Sequence, residues 1–583
     1  MINASPDLFR ILRLPERDPP APDPWDLPAN QNVRCSCASM GRVCITRLYG
    51  PQRAALEEMR EARGLFGMIS VGGGKTALGI LAACAMELSP AVLLLPPGQV
   101  GQTVQEATWI GQHMRVPRVF VVESGARDPV AMPDVPGTDA SIELALIPYS
   151  VLSRPESTDL LERLAPKIVI SDEAHRLRHR SAATTRRVLR YLAAQIDGGQ
   201  GIVFVCWSGT LTSRSLRDFS HLAAFALQHG SPLPLDPGVV DQWAECFDSG
   251  CDAEGQVGAF AEYLQPGEDP REGLRRRMFR TRGVVGSVAE AIESLPSLRF
   301  EIVEIPVGLK IRTALKKLDA EWALPDGEEL LLAMDHWRAK TELLCGFHYT
   351  WIWQPGTSKT DIDEWLEARA EWHRELRGRL LYRSRPGLDS PALVERAMLS
   401  GLVPSSERLE RWNAVRERVA EPKTVPVWID DAWLQPVVEL ARTERALVWY
   451  THDAVGKKLV ELGLLAYDQA EGMVADLRAQ GAPPAALSIK ACGQGVDGLQ
   501  RLYAAQAVIC PFSSGDGWEQ LLGRLHRQGQ EQLVTTYVID RDCEYLADAI
   551  ERARYVRSTM GLQQKLLVAG GLERIGQGQE DAA

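Results

Sequence analysis

No stretch of this sequence approaches the roughly 20 consecutive apolar residues that span a bilayer, so no membrane-crossing helix is expected. The opening residues, MINASPDLFRILRLPERDPPAPDPW, lack an apolar core followed by a small-residue cleavage site, which speaks against a secretory signal. Eleven cysteines in 583 residues show no disulfide-framework spacing, and their odd count fits a reducing compartment. A soluble, cytoplasmic protein is therefore expected. Positive charge is also in deficit: 65 Lys and Arg against 76 Asp and Glu leave a formal charge of −11. A polyanionic partner would have to be held by local basic patches rather than by bulk attraction. Two such patches exist, RLRHRSAATTRRVLR (176–190) and REGLRRRMFRTR (271–282). Nuclease and methyltransferase motifs are not evident, nor is a short-period internal repeat.

What is present is an ordinary globular composition, 45% apolar and 24% charged, in a chain too long for one hydrophobic core. Residues 1–31 are rich in Pro and Asp and read as an extended tail. From about 65 to 210, short apolar runs alternate with helix-sized segments: LFGMISV, AVLLLP, RVFVVES, ELALIPYS, KIVISDEAH and GIVFVCWSG. That alternation predicts a parallel, doubly wound sheet. From about 300 to 430 long helical patterns rich in tryptophan take over, with Trp337, Trp351, Trp353, Trp365, Trp372 and Trp412. Their helical spacing predicts packing in a core, with base stacking as the alternative. Strand-like runs return from about 445 as RALVWYT, ALSIKA, QAVICPF and QLVTTYVID, and the last residues, 561–583, read as a loose tail. The expected layout is a first α/β lobe (32–300), a helical insert (301–430) and a second α/β lobe (431–560).

The chemistry begins at SVGGGKT, where Gly72, Gly73, Gly74, Lys75 and Thr76 follow a predicted strand and open a helix. Glycines let successive N–H groups turn toward phosphate oxygens, and the helix N-terminus adds its dipole. Lys75 can reach the β- and γ-phosphates of ATP, and the Thr76 hydroxyl can hold Mg²⁺. The strict phosphate-loop pattern wants glycine at 69, where this chain has Ile69. Asp172, 96 residues after Thr76, ends the apolar run KIVISDEAH. A carboxylate at that strand end is placed for a second contact to Mg²⁺, and Glu173 beside it can orient or deprotonate an attacking water. Together the two motifs predict a nucleoside triphosphatase.

GGGKT, DEAH with its His175, and WSGTLTS with Ser208, Gly209 and Thr210 together resemble superfamily 2 helicases. The resemblance extends to EQLLGRLHRQGQ (519–530), in which Gln520, Gly523, Arg524 and Arg527 fit that family's Q-x-x-G-R-x-x-R motif. It implies two RecA-like lobes, with Arg524 and Arg527 reaching from the second lobe to the triphosphate held by the first. It also implies that His175, Ser208, Thr210 and Gln520 couple hydrolysis to movement. LYGPQRAAL, the HRQGQ ending and the stretch 274–296 resemble the Swi/Snf-like DNA translocases and make Gln52 the candidate adenine reader. ACGQGVDGLQ (491–500) departs from that branch around Asp497 and Gly498, and the compact architecture is similar to that of helicases encoded by bacterial viruses. By resemblance the chain is an ATP-driven motor whose partner is DNA, duplex favoured, with backbone contacts from the loops carrying Gln99, Tyr149, Ser150 and His452; a strand-separating DNA or RNA helicase and a non-motor nucleotide-binding subunit are the alternatives. The insert is a candidate surface for other proteins.

One further cluster stands apart. Cys35, Cys37 and Cys44 lie within ten residues, close enough for metal ligation. A structural zinc site wants four ligands, and no fourth stands nearby in the chain, so free thiols are the expected reading and a metal site the alternative.

Overall fold

The computed structural model describes residues 2–19, 25–26, 35–39, 44–70, 73–123, 125, 128–212, 214–248, 257–286, 296–328, 330, 333–381, 388–493, 496–510, 512–527, 529–541 and 545–569. Val71 and Gly72, within the predicted phosphate loop, lie outside them.

Two parallel sheets organise the chain. The first runs Val284–Gly286, Leu65–Met68, Val203–Trp207, Ile168–Asp172, Ala91–Leu95, Thr138–Pro148, Val116–Val121 and Val130–Ala131, with only the last strand antiparallel to its neighbour. Its central strands are buried along their whole length, because helices cover both faces and apolar β-branched side chains can point either way. Two separate cores, one on each face, contain Phe66, Val92 and Phe204 on one side and Leu65, Leu93 and Val205 on the other. The second sheet runs Leu298–Glu304, Val534–Asp540, Ala505–Val508, Leu447–Tyr450, Ala485–Ser488 and Leu465–Tyr467, all parallel. It too has a core on each face, around Trp449 and Trp518 on one side and Val448 and Ile539 on the other. This mixed α/β architecture fits two RecA-like lobes.

Several expectations change. Leu298–Glu304 was expected to lie largely beyond a first lobe ending at 300, yet the whole strand belongs to the second sheet, so the crossing falls between Gly286 and Leu298. The N-terminal segment is no loose tail: Pro6–Arg13 form a helix capped by Ser5, and Ile2, Leu8 and Ile11 are buried in the first lobe's core. Residues 561–569 are likewise packed, with Lys565 and Glu519 in a buried ion pair at 2.5 Å. Residues 570–583 lie outside the described residues.

The insert is not purely helical. Its strands Phe347–Ile352 and Lys423–Trp428 pair antiparallel beside the helices Lys359–Leu381, Pro391–Leu399 and Glu407–Arg418. Trp365, Trp372 and Trp412 are buried in a core of its own, and Trp351, Trp353 and Trp365 meet edge to face. These tryptophans pack rather than face solvent, whereas Trp337 is largely exposed. The insert docks on the first lobe through Arg187, whose Nε and Nη2 donate to the two carboxylate oxygens of Asp389 at 2.8 and 2.5 Å. Arg187 also donates to the carbonyls of Leu152 and Arg154.

Candidate active site

Because the first sheet is parallel, the C-terminal ends of its central strands meet at one edge, which is where ligands of open α/β sheets bind. Leu65–Met68 leads to the glycine loop, Ile168–Asp172 to the two carboxylates, and Val203–Trp207 to Ser208 and Thr210. The Ser208 N–H donates to the Gly67 carbonyl at 3.1 Å, tying two of these ends together.

Gly74 caps the helix Lys75–Met86 with φ +72°, a left-handed conformation that glycine adopts without strain. A Cβ at this position would stand 2.2 Å from Gln52 Nε2. That close approach exists because Gln52 Nε2 donates to the Gly74 carbonyl at 3.0 Å, while Gln52 Oε1 accepts from the Tyr49 N–H at 2.9 Å. Ile69, at the position where the strict loop pattern wants glycine, is buried in the sheet core.

Lys75 Nζ lies 2.9 Å from Glu173 Oε1. Ser208 Oγ donates to the other oxygen of Glu173 at 2.9 Å, and His175 Nδ1 sits 3.3 Å from it and 3.1 Å from Ser208 Oγ. Thr210 closes the group, its N–H donating to Ser208 Oγ at 3.1 Å. Asp172 Oδ1 accepts from the Glu173 N–H and from Trp207 Nε1, both at 2.9 Å. Burial, and then the negative charge of Glu173, push the Asp172 carboxyl up to about 7. Burial would raise Glu173 too, but the Lys75 ammonium and the contact with His175 hold it well below the usual carboxylate range. Glu173 also has φ +51°, a backbone state costing a non-glycine residue roughly 1–3 kcal/mol, of the kind found at functional sites.

The second lobe faces this cluster. Lys75, Thr76, Asp172, Glu173, Gln52, Asp497, Arg524 and Arg527 all line one cleft of about 470 Å³. The two arginines differ. Arg524 is 8% exposed and donates to the carbonyls of Val496 at 2.7 Å and Gln520 at 3.2 Å. Burial, with Arg527 nearby, lowers it to about 10, so it stays cationic at neutral pH. Arg527 is more exposed and lies 3.4 Å from Asp497 Oδ1. Gln520 is buried in the preceding helix, Gly515–Leu522.

Residues 49–219 match the DEAD/DEAH box helicase family. No curated protein matches the chain. The matched span begins just before Gln52, takes in the glycine loop and both carboxylates, and ends beyond Ser208 and Thr210. It supports a superfamily 2 helicase, with the ATPase and nucleic-acid-binding properties such a domain implies.

Around this matched segment the structure redistributes several predicted roles. Tyr149 is 4% exposed, and its hydroxyl contacts Ser171 Oγ at 2.8 Å and donates to the Asp172 carbonyl at 2.7 Å. It braces the carboxylate strand from inside and is not presented to a nucleic acid. His452 packs edge to face on Phe347, and burial pushes its imidazole down to about 4, leaving it neutral. Gln99 lines the cleft itself, whereas Ser150 is exposed on the short helix Tyr149–Leu152.

The 271–282 patch is also committed to structure. Arg277 is buried against Glu16 and the carbonyls of Ile11 and Leu14, and Arg276 pairs with Glu268 at 2.8 Å. Arg275 donates to the carbonyls of Arg557 and Ser558. In the 176–190 patch, Arg178 instead bridges the lobes, with Nη1 3.0 Å from Asp516 Oδ2. Burial opposes the Asp516 charge, but Arg178 and then His175 hold its carboxyl below the ordinary value. Arg178 and Asp516 are 338 residues apart, so no local signal joined them. Asp497 was visible in the sequence only as a departure from a motif.

Proposed function

We propose that this chain is an ATP-driven motor that hydrolyses ATP between its two lobes and uses the cycle to move along DNA, duplex DNA in particular. The observation that carries the reading is the cleft. It is lined on one side by Lys75, Asp172 and Glu173 and on the other by Arg524 and Arg527. In this reading the first lobe, ending at Gly286, binds ATP. Leu298–Glu304 and the chain from about 434 onward form the second lobe, and the segment between them is the insert.

The residues fit ATP and Mg²⁺. Thr76 offers a hydroxyl and Asp172 a buried carboxylate, the hard oxygen donors this ion prefers. An Asp172 carboxyl raised by burial and by its neighbour's charge is one that a divalent cation would relieve. When bound, Mg²⁺ supplies charge neutralisation for the β- and γ-phosphate oxygens. Lys75, now on Glu173, turns to the phosphates; Glu173, released but still held by Ser208 and His175, orients the attacking water. Arg527 and Arg524 meet the charge that develops on the transferred phosphoryl group. A link from Glu173 through Ser208 and Thr210 gives hydrolysis a route to the lobe movement.

Support for duplex DNA comes from the Swi/Snf-like character of LYGPQRAAL and HRQGQ. The test is ATP turnover with single-stranded, duplex, forked and RNA ligands, run beside triplex-displacement and strand-displacement assays. Stimulation by duplex with triplex displacement and no fork opening is expected. Fork opening driven by single strands would make the chain a strand-separating helicase, and stimulation by RNA alone would remove DNA from the proposal.

A further inference from the structure

Three cysteines near the N-terminus are joined by a residue far away in sequence. Cys35, Cys37, Cys44 and His113 bring three Sγ atoms and one ring nitrogen within 4.8 Å of one another. Cys35 Sγ and Cys44 Sγ are 3.4 Å apart, and Cys37 Sγ is 3.0 Å from His113 Nε2. A tetrahedral zinc with ordinary bond lengths places its ligand atoms roughly 3.6–3.8 Å apart, a spacing these values bracket. The set contains no carboxylate. Three thiolates and an imidazole suit zinc and disfavour the hard cations Mg²⁺ and Ca²⁺.

The surroundings are built to hold the group. His113 follows the helix Val100–Ile110 in a turn where its N–H donates to the Ile110 carbonyl at 2.9 Å. Ser36, between the first two cysteines, donates from Oγ to Gln112 Oε1 at 3.2 Å, and Gln112 Nε2 in turn donates to the Thr108 carbonyl at 3.2 Å. The two ligand-bearing segments are thus stitched together beside the cluster, as supporting contacts of metal sites are. Cys37 is buried, and Cys44 faces outward.

We propose that Cys35, Cys37, Cys44 and His113 form a structural zinc site that staples together two walls of the nucleotide cleft. The location argues the consequence. Cys44 begins one wall, continuing through Ile45, Arg47 and Tyr49 to Gln52, and His113 sits directly behind the end of the other, between its lining residues Ile110 and Met114. Zinc fixes the distance between these walls and so holds Tyr49 and Gln52 in register with Gly74. The metal site stands on its own geometry; its effect on nucleotide binding rests on the reading of the cleft as an ATP site.

The test uses the full chain, purified without chelator and freed of loose metal by gel filtration. Close to one zinc per chain is expected by atomic absorption, falling to near zero in Cys37→Ser and markedly in His113→Ala. Cobalt exchanged for zinc should give the ligand-field bands of a tetrahedral ion and thiolate-to-cobalt charge transfer. His113→Cys should restore full metal content with stronger charge transfer. Should the serine and alanine variants fail to fold, chelation of wild-type protein must still lower its melting temperature, and zinc must restore it. Zinc removal is also expected to raise the KM for ATP several-fold while changing kcat less. Wild-type protein with no zinc after growth in zinc, an octahedral cobalt spectrum, or unchanged metal content in His113→Ala would overturn the site. Zinc bound as described in a protein without ATP turnover would keep the site and remove the ATPase reading instead.

Discussion

Lys75 and Glu173 neutralise each other at 2.9 Å, and in the proposed ATPase a triphosphate takes Lys75 from the carboxylate and frees Glu173 to act on water. Glu173→Gln therefore separates the two functions. The amide keeps the hydrogen bond from Ser208 but cannot act as a base, so ATP should bind near normally while turnover falls about 10²–10⁴-fold. Nucleotide titration and a phosphate-release assay check this, and substantial residual turnover in folded protein would contradict the assignment. Asp497 is a second residue-scale lever. It holds Arg527 at 3.4 Å before any phosphate competes. Asp497→Asn should raise basal, nucleic-acid-independent turnover a few-fold, read by the same assay; a fall would mean that Asp497 positions Arg527 productively. Lys75, Thr76, Asp172 and Glu173 were legible in the sequence because each sits in a short motif tied to a strand end, and Arg524 and Arg527 because they belong to a Q-x-x-G-R-x-x-R pattern that closes the helix Gly515–Leu522. His113, Arg178 and Asp516 were not, since each takes its meaning from a partner distant in the chain.

Among the elements, the turn between the strand Leu65–Met68 and the helix Lys75–Met86 tolerates least. Gly74→Ala places a Cβ 2.2 Å from Gln52 Nε2 at φ +72°, so the loop must shift or Gln52 must leave. Strain of about 1–3 kcal/mol is expected at such a position. ATP affinity should drop by roughly tenfold or more, measured by titration, with the melting temperature lowered only modestly. Arg187 makes the corresponding test for the insert. Removing Arg187 from this buried, bidentate pair leaves Asp389 only the longer contacts with Arg190 at 3.5 Å and Thr158 at 3.4 Å, so the cost is at most about 3–5 kcal/mol. Arg187→Ala should loosen the insert from the first lobe and appear as an early unfolding step or faster proteolysis within the insert. The central strands were readable because burial on both faces leaves near-continuous apolar runs. The expected boundary at 300/301 cuts through Leu298–Glu304, all of which joins the second sheet. Nothing local says which sheet an edge strand joins. Tyr149 opens the short helix Tyr149–Leu152, and no local pattern announces that its hydroxyl turns inward to Ser171 and the Asp172 carbonyl.

On the scale of the whole molecule, two features hold the lobes in contact. Arg178 reaches Asp516 directly, and the helix Tyr545–Met560 has Leu546, Ala549 and Ala553 in the second lobe's core and Val556 and Met560 in the first lobe's. The proposed motor cycle requires such a joint to flex rather than open, so that the lobes close on ATP without separating afterwards. Much of the basic surface suggested by the sequence is spent on these and other internal contacts, which narrows where a nucleic acid can be held. Arg527 remains the most direct probe of the central claim, because it faces the cleft without the two carbonyl contacts that make Arg524 part of the lobe's structure. An arginine finger typically contributes ~10³–10⁵ to the rate and acts chiefly in the transition state. The deciding measurement is nucleic-acid-stimulated ATP turnover, beside ATP affinity, in Arg527→Ala and wild type. A loss of turnover of at least about 10³-fold with ATP affinity changed little is the predicted result; near-normal stimulated turnover would contradict a cleft completed from the second lobe.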